Sequence, residues 1–288
     1  MNFDQVEKIA AAILYEGYML YPYRPTAIKN RQRWNFGTLY PRVYAQAQRP
    51  EEPFRLVAEC LAVADAQATL DVRLRFLQLA VERTSEHADL RLDNLLASPL
   101  SLTVAMDEEL EFSLHISAQA LGDGSCKLRL EVQNTSRLPG GAEAKRDEAL
   151  PFSLASAHLL LGLKQGGFVS LLDPEEKYCA SAKACSNIGV FPVLAGEDRS
   201  IMLCSPIILY DYPQIAPESA GDFFDGTEMD EMLNLRVLTL TATEKQEMRN
   251  GDPRARRILE RTEALTEDEM LKVHGVIREL RALRGTAS

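Results

Sequence analysis

Seven carboxylates, Asp211, Glu218, Asp222, Asp225, Glu228, Asp230 and Glu231, fall within Ser205–Glu231, which contains no lysine or arginine. Of these, Asp222, Asp225 and Glu228 or Asp230, with Gly226 in the turn, could supply oxygen ligands to a hard cation such as calcium or magnesium. The order DFFDGTEMDE does not follow the EF-hand register, which wants acids or amides at alternate positions, glycine sixth and a closing glutamate. A solvated acidic loop or a partner-recognition surface is the plainer reading. Pro206, Pro213 and Pro217 fix backbone angles while Gly221 and Gly226 permit tight turns, so the loop is expected to hold a shape. Shaped loops are where function usually sits.

A second set of donors is softer. His158 lies within the apolar run ASAHLLLGL, where a buried histidine held by a backbone partner is the ordinary case and a metal ligand or acid–base group the sharper one. Of the other three, His115 falls on the polar face of a strand, His274 on a helix and His87 in a candidate loop. Cys179 and Cys185 lack zinc-knuckle spacing, and Cys204 lies just before the acidic loop. A site drawn from His158, Cys179, Cys185 and Cys204 would suit zinc or nickel, against the commoner reading of these thiols as buried and free. The sequence has no Walker A loop, dinucleotide glycine fingerprint, HExxH, nucleophile elbow or CxxC. No residue is therefore assigned a catalytic role.

The third unusual stretch is aromatic and basic. Tyr15, Tyr18, Tyr21, Tyr23, Trp34, Tyr40 and Tyr44 interleave with Arg24, Lys29, Arg31, Arg33 and Arg42 against the single acid Glu16. Such interleaving can stack nucleic-acid bases. It can equally pack rings on a sheet with the cations left at the surface. A third possibility links the two unusual stretches, with arginine forks neutralising part of the acidic loop.

Composition bounds these options. The 288 residues are 46% hydrophobic and 26% charged, which is ordinary for a globular chain able to bury a substantial core. A net charge of -10 repels phosphate and argues against nucleic acid or an anionic membrane as partner. MNFDQVEKIAAAIL has acids where a signal peptide needs positive charge, and no window is apolar enough for a membrane span. Five sparsely spread cysteines suit a reducing compartment, so a cytoplasmic location is expected.

The elements that must position these residues follow from periodicity. Val6, Ile9, Ala10, Ile13 and Leu14 recur at helical spacing behind Asp4, predicting an N-terminal helix of about four turns that Pro22 and Pro25 cannot continue. From Phe54 to about Leu240 the pattern alternates. Leu70, Val72, Leu74 and Phe76 face one way, and a phase slip beyond them predicts a β-bulge near Phe76. Leu110–Ile116 and Cys126–Val132 alternate around Leu121-Gly122-Asp123-Gly124, predicting an antiparallel hairpin. Further strands are expected at 100–105, 152–163, 168–172, 190–194, 201–210 and 233–240. Residues 139–146 read as an exposed loop, and 173–185 as holding a short helix. The tail carries capping boxes at Thr241–Glu244 and Thr266–Glu269, and Pro253 starts a helix between them. The fold expected is α+β, a mainly antiparallel sandwich or barrel-like body over 1–240 with an N-terminal helix. Short C-terminal helices over 241–288 complete it, packed on the body or on a partner.

Three blocks of sequence, Ile13–Gly37, Ser205–Leu233 and Arg236–Met270, resemble a family of uncharacterised bacterial proteins associated with gene clusters for uptake nickel-iron hydrogenases. The resemblance implies a shared process and assigns no catalytic residues. It implies a cytoplasmic accessory protein that acts with hydrogenase subunits or maturation proteins. Aromatic and arginine side chains dominate binding energy at interfaces. The expected partner-binding residues are therefore Tyr21, Tyr23, Arg24, Arg31, Arg33, Trp34, Asp211, Tyr212, Glu218, Asp222 and Asp225. The alternative, from a different class, is a metal-dependent, hydrolase-like enzyme using the loop carboxylates with His158.

Overall fold

A computed structural model describes residues 3–14, 37–79, 81–214 and seven separate positions between 245 and 263. The chain divides into two compact units, one of Met1–Tyr18 with Trp34–Ile215 and the other of Met19–Arg33 with Ala216–Ser288.

The first unit is built on an antiparallel sheet of eight strands, β1 (Arg55–Gln78), β2 (Val81–Arg91), β3 (Leu100–Ala105), β4 (Glu111–Gly122), β5 (Ser125–Asn134), β6 (Ala155–Val169), β7 (Phe191–Ala195) and β8 (Ile201–Ser205). Their order is β3-β4-β5-β1-β6-β8-β7, with β2 beside β1. β1 is the spine: its first half pairs with β5, its second half with β2, and both halves with β6 along the opposite edge.

The spine bends in its middle. Residues 65–68 interrupt the ladder between Ala64 and Thr69, while β6 spends only Gln165, at φ 60, on the same interval. Beside this corner Gly166 approaches so closely that a Cβ there would lie 2.7 Å from both the Ala64 Cβ and the Val63 carbonyl oxygen, so only glycine fits. The bend brings distant ends together. Phe112 pairs with Asn134, whose N–H donates to the Phe54 carbonyl, so Phe112 sits level with the start of β1. A straight strand would hold Phe76 roughly 70 Å from that point. Instead the two rings meet edge to face with centroids 6.0 Å apart. The sheet is therefore one surface curled into a half-barrel, in place of two stacked sheets.

The inside of the curl is the core. Leu56, Ala58, Cys60, Leu70, Val72, Leu74 and Phe76 from β1 face Phe112, Leu114 and Ile116 from β4, and Leu128, Leu130 and Val132 from β5. Leu159, Leu161 and Leu163 of β6 and Met202 and Cys204 of β8 complete it. The bulge anticipated near Phe76 is present as a shift between Arg75 and Leu77, but the extra residue belongs to β6, where Ser156 takes φ 52. Leu79 and Val81 are exposed because a hairpin turn between β1 and β2 lies there.

The outer face is covered in patches. Helix α1 (Asp4–Leu14) lays Val6, Ile9 and Ala10, with Phe3 just before it, on Leu160, Val193, Ala195, Ile201 and Leu203. It is fixed there by Arg75, which donates to the Glu7 carbonyl at 2.9 Å, and by the Arg73–Glu7 ion pair. After the short helices α2 (Arg42–Ala47) and α3 (Leu92–Ala97), the interval 139–146 opens with a tight turn and leads into α4 (Arg146–Ala149). The short helix expected within 173–185 is α5 (Cys179–Lys183).

In the second unit, residues 245, 246, 249, 256, 259, 260 and 263 are helical. Leu259 is buried, and Glu263 pairs with Lys245 at 3.2 Å and Arg249 at 2.7 Å. The remaining positions of the expected C-terminal helices and of the strand at 233–240 lie outside the described residues.

Candidate functional site

Strand β8 ends at Ser205 because Pro206 has no N–H with which to extend the ladder. The chain then runs on without regular structure, bending at 206–207 and again at 211–212. Pro206 packs against Gly37, where an added Cβ would come within 2.4 Å of the proline ring and φ is already 57. Ile207 and Leu209 turn inward onto the cluster under α1. Ile208 and Tyr210 turn outward and are 76% and 87% exposed.

Asp211 fixes the end of this segment. Its Oδ1 accepts the Leu194 N–H at 2.7 Å and its Oδ2 accepts the Ser170 hydroxyl, while the Tyr212 N–H donates to the Leu194 carbonyl at 2.7 Å. The segment is thereby stitched to β7. Ser170 Oγ in turn accepts the Leu172 and Asp173 N–H groups, at 3.1 and 2.8 Å, joining a third stretch of chain to the same point. Asp211, expected to meet a partner directly, thus has both oxygens engaged within the fold and acts on the surface by positioning its neighbours. Tyr212, the other described member of that set, keeps 38% of its surface exposed.

Beside this junction lies an open cleft of about 280 Å³ lined by Val63, Phe168, Glu175, Lys177, Tyr178 and Arg199, among others. Arg199 pairs with Glu175 at 3.0 Å, and the Lys177 ammonium sits 4.6 Å from the centre of the Tyr178 ring. Both cations raise their own proton affinity through these partners, Arg199 chiefly through Glu175 and Lys177 chiefly through Tyr178.

The expected soft-metal donors are distributed over different parts of the fold. His158 is buried on the outer face of β6, next but one to Leu160, which packs under α1. Cys204 is buried on the inner face of β8 opposite Leu159. A full sheet thickness separates the two side chains. Cys179 and Cys185 lie at either end of α5, where their thiols contact the carbonyls of Pro174 and Ser181. Among the described residues no group of three or more His, Cys, Asp or Glu side chains is placed to hold a metal ion.

His158 is held as a neutral ring. Nδ1 donates to the Ser156 carbonyl, and burial pushes its pKa down to about 4 against the opposing effect of that carbonyl. Burial likewise pushes the Cys60 and Cys204 thiols well up and Cys126 up to about 11. His115 meets the Ser101 hydroxyl at 2.8 Å, and His87 lies on β2, not in a loop, 3.1 Å from the Ser85 hydroxyl.

Tyr21, Tyr23, Arg24, Arg31, Arg33, Trp34, Glu218, Asp222 and Asp225 lie outside the described residues. The described end of the aromatic-basic stretch is packed. Tyr40 and Tyr44 are buried with rings 5.2 Å apart, Arg146 donates to the Tyr40 hydroxyl at 3.0 Å, and Arg42 lies 5.5 Å over the Phe54 ring.

Sequence reasoning did not single out Ile208, Tyr210, Ser170 or Arg199. The signal available for the first two was the length of the apolar run 201–210, which outlasts the strand once Pro206 stops it. Ser170 and Arg199 reach the site through the side-by-side placement of β6 and β8, the Phe168 N–H donating to the Arg199 carbonyl at 2.7 Å just before Ser170.

No helix among the described residues is long and apolar enough to cross a membrane. No protein-family model matches this chain, and no curated protein matches it.

Proposed function

We propose that this protein is a non-catalytic accessory or assembly factor that works by binding another protein, in the cytoplasm, in the maturation or assembly of a nickel-iron hydrogenase. The observation that carries the binding role is the junction at Asp211. A backbone fastened at Leu194 and Ser170 holds Ile208 and Tyr210 in water at 76% and 87% exposure. Large apolar side chains on a fixed scaffold lose little conformational entropy on binding, which is what an interface anchor requires. The acidic run that continues to Glu231 and the tyrosine- and arginine-rich segment from Tyr21 to Phe36 extend the same kind of chemistry. The hydrogenase connection rests on the resemblance of the three sequence blocks.

Purification of the tagged chain from its own host, with mass spectrometry of co-eluting proteins and elemental analysis of the same fraction, tests this reading. Hydrogenase subunits or maturation proteins are expected, without stoichiometric metal. A lone chain carrying about one equivalent of zinc, nickel or iron would overturn it in favour of a metal site.

A further inference from the structure

Building on the protein-binding reading above, we propose that the patch formed by Leu172, Ile208, Tyr210 and Tyr212 docks a basic segment of the partner protein, anchored by the partner's apolar or aromatic side chains. The inference rests on what surrounds the patch. Ser170 and Asp211 bring Leu172, which is 55% exposed, to the same junction as Tyr210 and Tyr212. The rim is acidic: Asp173, Glu175 and Glu176 follow Leu172, and Glu197 and Asp198 precede Arg199, which itself reaches Glu175.

All five of these carboxylates are exposed, and among the described residues of these two stretches the bases are Lys177 and Arg199. Both cations pair with the one carboxylate of Glu175, at 3.5 and 3.0 Å. Five acids against two bases leave an excess of three negative charges around an apolar centre, on a chain whose net charge is already -10. Such a field attracts lysine and arginine and repels acidic peptides and phosphates. The tyrosine faces add cation–π acceptors that suit arginine. The partner segment therefore combines positive charge with leucine, tryptophan or similar anchors.

Fluorescence anisotropy of the full chain with three labelled synthetic peptides tests the inference. One peptide alternates arginine with leucine and tryptophan, a second replaces arginine by glutamate, and a third replaces leucine and tryptophan by serine. The first is expected to bind best, and to bind more weakly as salt is added. The double substitution Ile208→Ala with Tyr210→Ala should weaken it roughly tenfold or more. Charge reversal by Glu176→Lys with Glu197→Lys should weaken it as well. These side chains are exposed, so thermal unfolding of the variants should match the parent chain. Equal or tighter binding of the glutamate peptide, or unchanged binding by the Ile208 and Tyr210 variant, overturns the proposal. The host purification separates this from the wider reading. If the parent chain and the Ile208 and Tyr210 variant retain the same partner equally, this surface is not the dock while the binding role stands. If the parent chain retains no partner, the binding role itself fails.

Discussion

Glu59 on β1 stands directly opposite Arg129 on β5 and accepts its guanidinium at 2.9 Å, on the outer face of the sheet. The same carboxylate accepts the Ser186 N–H at 2.8 Å and lies 3.5 Å from Lys127, while the Glu59 N–H donates to the Asn187 side chain at 2.7 Å. One side chain thus ties two strands to the segment that follows α5. Burial acts to raise the Glu59 pKa, but the Ser186 N–H, Arg129 and Lys127 together outweigh it and hold the carboxyl below its ordinary 4.5. A lowered folded value means that the stabilisation is present above pH 4.5 and is lost as pH falls through the folded pKa. Glu59→Ala should cost about 1–2 kcal/mol in urea unfolding at neutral pH, since it leaves the Ser186 N–H without its acceptor and takes from Arg129 one of two carboxylate partners, Glu131 remaining at 3.0 Å. Glu59→Gln should flatten the acid limb of the stability curve. A variant as stable as the parent chain would show that this cluster contributes nothing.

His158 gives a pH dependence in a different window. The folded ring stays neutral down to about pH 4, whereas in the unfolded chain it takes up a proton below its ordinary 6.5. Between those values the unfolded state binds more protons, so stability falls as the solution is acidified, by up to about 3 kcal/mol. Its Nε2 has no hydrogen-bond partner in the described structure, so little holds the ring other than the Ser156 carbonyl and packing. His158→Phe should remove most of this slope while retaining the fold. Urea midpoints at pH 7.5 and pH 5 decide it: a gap between them that persists unchanged in the variant assigns the slope to other groups.

Much of the sheet is legible in the sequence, and each illegible part has its own physical cause. β4 and β5 were readable because one face is wet and the other dry, so Phe112, Leu114 and Ile116 alternate with polar neighbours, as do Leu128, Leu130 and Val132. The first half of β1 has no such rhythm. Val57 and Leu61 are as buried on the outer face as Ala58 and Cys60 are on the inner one, so the apolar run is nearly continuous. β2 hides for the opposite reason: most of it is exposed, and VERTSEHADLR has no dry face to betray it. Asp211 was visible as a carboxylate next to an aromatic, but its bonds to Leu194 and Ser170 depend on β7 and β6 both pairing with β8 and on no local pattern.

The Asp211 clamp should be separable from the surface it displays. Asp211→Ala removes the acceptor for the Leu194 N–H and for the Ser170 hydroxyl but no core side chain, so the expected loss is about 1–2 kcal/mol. The local effect should be larger than the global one. Amide exchange at Leu194 and Tyr212 should accelerate strongly, and a protease that cleaves after aromatic residues should nick the chain near Tyr210, while the β4–β5 hairpin keeps its protection. Unchanged exchange at Leu194 and Tyr212 would show that the segment is held by packing of Ile207 and Leu209 alone.

Thiol chemistry reports on the two faces of the sheet independently. Cys60, Cys126 and Cys204 are buried in the inner core, and burial raises all three pKa values, which suppresses both access and the reactive thiolate. Cys179 and Cys185 flank α5 and are part-exposed, with the Cys185 thiol raised by burial and by the nearby Glu59. Brief treatment of the folded chain with a maleimide at neutral pH should therefore modify Cys179, then Cys185, and leave the other three intact. In denaturant all five cysteines should react. Because Glu59 and Asn187 fasten the chain just beyond Cys185, the Glu59→Ala variant should label faster at Cys185 without exposing Cys204. Rapid labelling of Cys204 in the native parent chain would contradict its place inside the curl, and peptide mapping by mass spectrometry after the brief treatment distinguishes the two results.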